Sequence, residues 1–342
     1  MHWKARPNRS AGLSQADWAW QTGAMTHLLL AATALALLPA AQVPDIQPAP
    51  SPGQIVDAAK ANEWIAIAPT DLLVMDLAPD AAGEKRRVVI QLMPAPFSQG
   101  WIGNIRRLAA AHWWDGTSVY RVQDNYVAQW GDPDGEDPAK AKPLPAGLAT
   151  VPESEYTVSA GELVVHERPS DEARTAPHAP RGDAYAEFTR FVQGWPVAYD
   201  HEGEWPVHCY AMVGVARDLS PNTGSGAELY TVIGHAPRHL DRNIALVGRV
   251  IAGIEHLSSL PRGPAPLGVY EDPAQRVPIA SVRLASDLPE AGRPRFEYLS
   301  NSSDSFARYA DARASRRDPF FIHPAGGADI CNIPVPVREV TP

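Results

Sequence analysis

The stretch from Tyr120 to Asp132 reads YRVQDNYVAQWGD. Arg121 and Gln129 interrupt Tyr120, Val122, Tyr126, Val127 and Trp130, residue types that suit a half-buried sheet. Alternate side chains of an extended segment share a face, so positions 121 and 129 share a parity and are expected to line one face. A bulge or turn around Gln123-Asp124-Asn125 would change that count. Two readings stand at this point: a solvated face, or the polar edge of a binding surface.

Upstream, DLLVMDL (71–77) and RVVIQL (87–92) flank the turn-rich APDAAGEK and predict an antiparallel hairpin. Trp101, Ile105 and Leu108 recur at helical spacing between Phe97 and Trp113, with Ser98 as the expected cap. Trp114-Asp115-Gly116-Thr117 then ends the helix and leads into the opening stretch. An earlier helix is expected over Gln54–Trp64. Downstream, MVGVA (212–216), ELYTVI (228–233) and Ile244–Val250 read as strands, followed by a closing helix with Ile251, Ile254 and Leu257 in register. Val277–Leu284 and Pro294–Leu299 are further strand candidates.

Between these halves, residues 133–206 are rich in Pro, Asp, Glu and Ala and form an expected loop-rich insertion rather than a second domain. Within it, Leu163–His166 predicts a short strand and Tyr185–Val192 a short helix. WPVAYD at 195 and WPVHCY at 205 bracket HEGE and predict a hairpin.

The chain has 342 residues, 45% of them hydrophobic, enough for a proper core. Its 34 prolines favour loops and short strands over a helical bundle. A net charge of −9 with no basic stripe argues against a nucleic-acid partner. Leu28–Leu38 (LLLAATALALL), followed by Pro39-Ala40-Ala41, has the length of a signal-peptide apolar core and is too short to span a bilayer. The expectation is export to the periplasm or beyond, with a signal peptide over about Met25–Ala41 and no membrane span after cleavage. The domain plan is an upstream segment and signal over 1–41, a Pro-rich linker over 42–53, a main domain over 54–264 and a C-terminal extension over 265–342 packed on it. The two cysteines, Cys209 and Cys331, leave two readings open: a disulfide pinning the tail to the body, or two buried thiols.

Several chemistries lack support. Asn222-Thr223-Gly224-Ser225-Gly226 has no GK[ST] ending and reads as a tight turn, not a phosphate loop. No GxSxG elbow is present. His208, Cys209, His235 and His239 are not expected to hold zinc, since HAPRH falls in a Pro-containing loop.

The order of two strands, a helix and WDGTSVYRVQDNYVAQWGDPDG resembles the cyclophilin-type peptidyl-prolyl isomerases, whose helix is followed by "F/Y-D-G-T-x-F-H-R-V", a short loop and "Q-G-G-D". MVGVARDLSPNTGSGAELYTVIGHAPRHLDRNIALVGRVIAGIE is similar to that family's "MAR-x-x-x-P-N-[ST]-x-x-S-Q-F-[FY]-I", "L-D" and "V-F-G-R-V-x-x-G". The resemblance covers roughly residues 71–132 and 207–260. It implies a mainly β fold, a closed eight-stranded antiparallel barrel capped by two α-helices, acting as a monomer on proline-containing polypeptides. It further implies that Arg121 and Gln129 are the catalytic residues, with Gln129 orienting Arg121 or the peptide carbonyl. Tyr126, Val127, Ala216, Arg217, Ala227, Leu229, His239, Leu240 and Ile244 are the implied substrate-binding residues.

Rotation about an X-Pro bond breaks amide conjugation against a barrier of about 18–20 kcal/mol. The twisted state returns a lone pair to the prolyl nitrogen. A guanidinium aimed there bonds that state better than the planar one, the kind of interaction that accelerates a step. No metal, nucleotide or other cofactor is needed. The departures lie on the opposite wall. Where the family has S-Q-F-[FY]-I this chain reads GAELY, which places Ala227 at the glutamine, Glu228 at the first aromatic and Leu229 at the pocket phenylalanine. Ile244 replaces a frequent histidine, and His239 stands where eukaryotic members often carry a tryptophan. These changes keep an alternative in view: a cyclophilin-fold peptide-binding or chaperone-like module with little isomerase activity.

Overall fold

The computed structural model describes residues 48–159 and 183–340. Helix α1 (Pro52–Asp57) starts from a capping box in which the Ser51 hydroxyl accepts from Gln54 N and the Gln54 side chain accepts from Ser51 N. It is shorter than the helix expected over Gln54–Trp64, because Trp64 opens strand β1 (Trp64–Ala66), which is drawn into pairing with a distant strand near the C-terminus. The expected hairpin forms as β2 (Leu72–Leu77) and β3 (Arg86–Leu92), with Leu77 opposite Arg86.

Helix α2 (Gln99–Ala110) buries Trp101, Ile102, Ile105 and Leu108. Ser98 precedes it but does not cap it through its side chain, being held at φ 56°. Glu155 Oε2 instead accepts from Gly100 N at 3.1 Å. The helix in turn holds the loop at 222–226, for Trp101 Nε1 donates to Gly224 O and Asn104 Nδ2 to Ser225 O. The opening stretch then forms β4 (Ser118–Val122) and β5 (Val127–Gly131).

In the insertion, β6 (Phe188–Val192), β7 (Trp195–Tyr199) and β8 (Glu204–Pro206) make a three-stranded sheet. The WPVAYD/WPVHCY hairpin is therefore observed, but the helix expected over Tyr185–Val192 is a strand. The reason lies in Gln193 and Gly194, whose φ values of 50° and 76° form a two-residue turn that folds this segment back onto β7. Gly194 is enclosed as well. A Cβ there would come 2.6 Å from the Tyr298 ring, and its N–H donates to Asn301 Oδ1. The strand expected over Leu163–His166 lies outside the described residues, as does the signal segment.

Strands β9 (Met212–Val215), β10 (Leu229–Val232) and β11 (Leu246–Ala252) follow. Ile251 belongs to β11 rather than to the closing helix, which is only the single turn α3 (Glu255–Ser258). Gly253, at φ 80°, separates the two, and a Cβ there would lie 2.0 Å from Arg87 O. Strand β12 (Val277–Leu284) then inserts between β4 and β2 and closes the barrel in the order β10-β5-β4-β12-β2-β3-β11-β9, antiparallel throughout. The barrel thus needs a strand beyond position 264, and the boundary placed there falls short, because β4 and β2 would otherwise be left as open edges.

The remaining extension packs outside. Strand β13 (Phe296–Leu299) joins β1 to β14 (Val337–Glu339) in a second three-stranded sheet. Helix α4 (Asp304–Ala314) lays Phe306, Tyr309 and Ala310 against Trp64 and Leu299. Inside the barrel, Met75, Ile90, Val119, Val122, Trp130, Val213 and Leu229 meet in one core. The tail is fastened by a Cys209–Cys331 disulfide bridging a separation of 122 residues. Among the described residues no helix is long and apolar enough to cross a membrane.

Candidate active site

Arg121 lies directly opposite Gln129 across β4 and β5, so the two do share a face. The register shifts between Val119 and Arg121, which marks Tyr120 as the extra residue of a bulge. With Val119 and Val122 both buried in the barrel core, the bulge leaves Tyr120 and Arg121 to be presented together on the outer side. The turn at Gln123–Tyr126, with Asn125 at φ 49°, brings Tyr126 back over this face.

Arg121 is held by neutral acceptors. Its Nε donates to Leu267 O at 2.7 Å, Nη1 to Gln129 Oε1 at 2.9 Å and Nη2 to Gln123 Oε1. A guanidinium has five N–H groups. Among the described residues these contacts use three, leaving one on each terminal nitrogen. The Arg121 guanidinium carbon sits 5.9 Å from the Tyr126 ring centre, and partial burial pulls its pKa down.

Beside it is an apolar patch on the outside of the barrel. Val127, Tyr230 and Val232 form its buried floor, with Tyr126, Ala216, Leu240 and Ile244 packed around them. Five of the expected substrate residues therefore meet here. His239 stacks on Tyr126, with ring centres 6.5 Å apart and planes 14° from parallel. Arg217 is tied down at the margin, its Nε and Nη2 both donating to Asn243 O.

Ala227 and Leu229 do not belong to this surface. Leu229 pairs with Trp130 and both point into the barrel core, while Tyr230 pairs with Gln129 and shares its outer face. Ala227 is also buried in the core and its carbonyl accepts from Trp114 Nε1 at 2.8 Å. GAELY therefore sits one residue away from the register expected from the sequence, and a slip of one flips every side chain to the other face. The outer positions are Glu228 and Tyr230.

Glu228 is the residue that reading the sequence missed as a site group. Its Oε2 accepts from Tyr120 Oη at 2.8 Å and its Oε1 from Asp132 N at 2.7 Å. Tyr120 Oη in turn accepts from Gln129 Nε2, and Gln129 Oε1 accepts from Arg121. A continuous chain of bonds thus runs from a buried carboxyl to the arginine. Gly131, the glycine of QWGD, makes room for it, since a Cβ there would fall 2.1 Å from Glu228 Oε2. Burial pushes the Glu228 carboxyl up to about 7, against the pull of the Asp132 and Tyr120 donors. Burial and the neighbouring Glu228 together push Tyr120 up.

The other side of the patch rests on a buried ionic network. Tyr230 Oη lies 3.0 Å from His208 Nε2, and His208 Nδ1 lies 2.8 Å from Asp241 Oδ1. With Nδ1–H donating to the carboxylate, Nε2 is the acceptor for the tyrosine. Arg238 Nε donates to Asp241 Oδ2 at 2.7 Å, and its two terminal nitrogens grip Asp183 at 2.7 and 2.8 Å. His208 is engaged in this network and the adjacent Cys209 in the disulfide.

A family model of the cyclophilin type peptidyl-prolyl cis-trans isomerase/CLD matches residues 83–284. The match covers more than half of the chain, and the chain belongs to that family: it is a peptidyl-prolyl cis-trans isomerase, a class that acts on proline-containing peptides. Among solved structures, cyclophilin AquaCyp293 from Hirschia baltica is similar at a TM-score of 0.59 and 21% identity, covering 81% of this chain and 93% of that one. A cyclophilin-type isomerase from Cryptosporidium parvum, crystallised in the presence of the dipeptide Ala-Pro, aligns at a TM-score of 0.34 and 11% identity over 62% of this chain and 98% of that one. No curated protein matches the sequence.

Proposed function

We propose that Arg121 drives X-Pro rotation in exported or envelope polypeptides by donating a hydrogen bond to the prolyl nitrogen as it pyramidalises. The observation carrying this reading is the state of the Arg121 guanidinium. It is held on three sides by uncharged acceptors, keeps an N–H on each terminal nitrogen, and stands beside the apolar patch of Tyr126, Val127 and Leu240. Neutral partners fix its direction without cancelling its charge. A proline ring on the patch would place its nitrogen within that field, and the patch would keep water from the twisted amide. Gln129 acts as the positioning residue, held in turn by Tyr120.

One charge-assisted hydrogen bond supplies about 1.5–3 kcal/mol, so patch and arginine share the task. Export rests on the apolar run at Leu28–Leu38 and is supported by the Cys209–Cys331 bridge, a bond that persists in oxidising compartments. Exchange NMR on a proline-containing tetrapeptide, comparing wild type with Arg121→Ala, tests the mechanism. Catalysis by both proteins at one rate would remove Arg121 from it. Binding of the peptide by the wild type without catalysis would favour a chaperone-like module instead. Fractionation of cells expressing the full chain tests export, and a chain found wholly in the cytoplasm would reject it.

A further inference from the structure

A cavity of about 410 Å³ lies against the barrel wall at β9 and β11, on a different part of the barrel from the β4–β5 pair that carries Arg121. The insertion contributes Phe191 to it and the C-terminal extension contributes Val335 and Ile333. Its volume is within the range of about 300–1,000 Å³ typical of small-molecule sites, and its walls are largely aliphatic and aromatic. The charged residues lining it are two arginines, Arg249 and Arg313, and no described Asp or Glu lines it.

Arg249 is the unusual one. It points outward from β11, opposite Gln91, and is 7% exposed. Its Nε donates to Gln91 Oε1 at 2.9 Å and its Nη1 to Gly194 O at 2.7 Å, while its guanidinium carbon lies 4.4 Å from the Trp195 ring centre. Nη2 is buried with no hydrogen-bond partner. Burial lowers its pKa to about 10. Arg238, at similar depth, instead meets Asp183 and Asp241 directly and Asp329 at 3.7 Å. A buried cation with only neutral contacts is costly unless an anion reaches it. Arg313 adds a second charge at the cavity, its Nε bonded to Asn332 O.

We infer that this cavity is a binding site for a small amphipathic anion, an apolar body ending in one acidic group, with Arg249 and Arg313 as the cationic pole and Phe191, Met212 and Val335 as apolar wall. The site is formed where the insertion and the extension close over the barrel, and it is separate from proline chemistry.

A matched pair of fluorescent probes tests it on the full chain. 8-Anilinonaphthalene-1-sulfonate and N-phenyl-1-naphthylamine share one apolar body and differ by the sulfonate. The expected result is saturable binding of the sulfonate at least about tenfold tighter than of the neutral amine. Arg313→Met should weaken the sulfonate at least fivefold and leave the amine unchanged, and Val335→Trp, which fills the cavity without removing a charge, should weaken both. Arg121→Ala should change neither. Equal affinity for the two probes overturns the inference, as does sulfonate binding that survives Val335→Trp or is displaced by a proline peptide. If Arg249→Met unfolds the chain, Arg313→Met and Val335→Trp still decide the question.

Discussion

Arg121 and Arg238 flank the same apolar patch and are held by opposite kinds of partner. Arg238 is 3% exposed and its charge is met by Asp183 and Asp241. Burial draws its pKa down, but the two carboxylates overcome this and hold it raised. Arg121 has no carboxylate partner among the described residues, retains N–H groups to give, and is shifted down by burial. A neutralised arginine fixes a loop. An arginine held by amides and carbonyls keeps its field uncancelled, which is what the proposed role of Arg121 requires.

The sharpest way to break this contrast is to unbalance the neutralised side. Asp241→Ala leaves Arg238 Nε and His208 Nδ1 without their acceptor in a buried setting, and should cost about 3–5 kcal/mol of unfolding free energy in a denaturant titration. A loss below about 1 kcal/mol would mean that the ion network does not hold the patch. Arg121→Ala should do the reverse, lowering kcat/KM by roughly 10- to 150-fold, the equivalent of about 1.5–3 kcal/mol, with a smaller loss of stability than Asp241→Ala.

Glu228 sharpens the comparison through pH. Its carboxyl is raised from an ordinary 4.5 to about 7 in the fold. Between those values the unfolded chain has released a proton that the folded chain retains, so stability falls as pH rises from about 4.5 to about 7 and is level above. Glu228→Gln should flatten that slope. It should also remove an inflection of kcat/KM near pH 7, where wild-type activity rises as the ionised carboxyl takes the Tyr120 proton donor and so orients Gln129 toward Arg121. A wild-type profile flat from pH 5 to 8 would uncouple Glu228 from the arginine. The smallest effect is expected from Tyr230→Phe, which removes the hydroxyl from His208 Nε2 for about 1 kcal/mol and leaves kcat/KM within about twofold, since the ring stays on the patch.

The half of the site on β4 and β5 was legible because its geometry is local. Arg121 and Gln129 belong to consecutive strands joined by a short turn, so the pairing is set by few residues. Tyr120 was not legible as a partner, because nothing in YRV signals a bulge. The opposite wall failed by one position. SGAELY offers no turn residue after Gly226 to fix the parity, and only the pairing of Tyr230 with Gln129 decides that Leu229 faces inward. The network of Asp183 with Arg238 could not be read at all, since it joins segments 55 residues apart through side chains alone. The barrel is foreseeable from the resemblance and Val277–Leu284 reads as a strand, but the matching motifs end at residue 260, so nothing in the sequence places that strand in the barrel wall.

Gly194 carries one more consequence. Its N–H is taken by Asn301 of the extension, its carbonyl by Arg249 of the barrel, and the ring of Tyr298 occupies the space a Cβ would need. One residue of the insertion thus mediates between two regions remote from it in the chain. Deleting the β6–β7 hairpin would therefore strip Asn301 and Arg249 of a partner and uncover the Tyr298 ring, so this hairpin and the extension are held together through a single glycine.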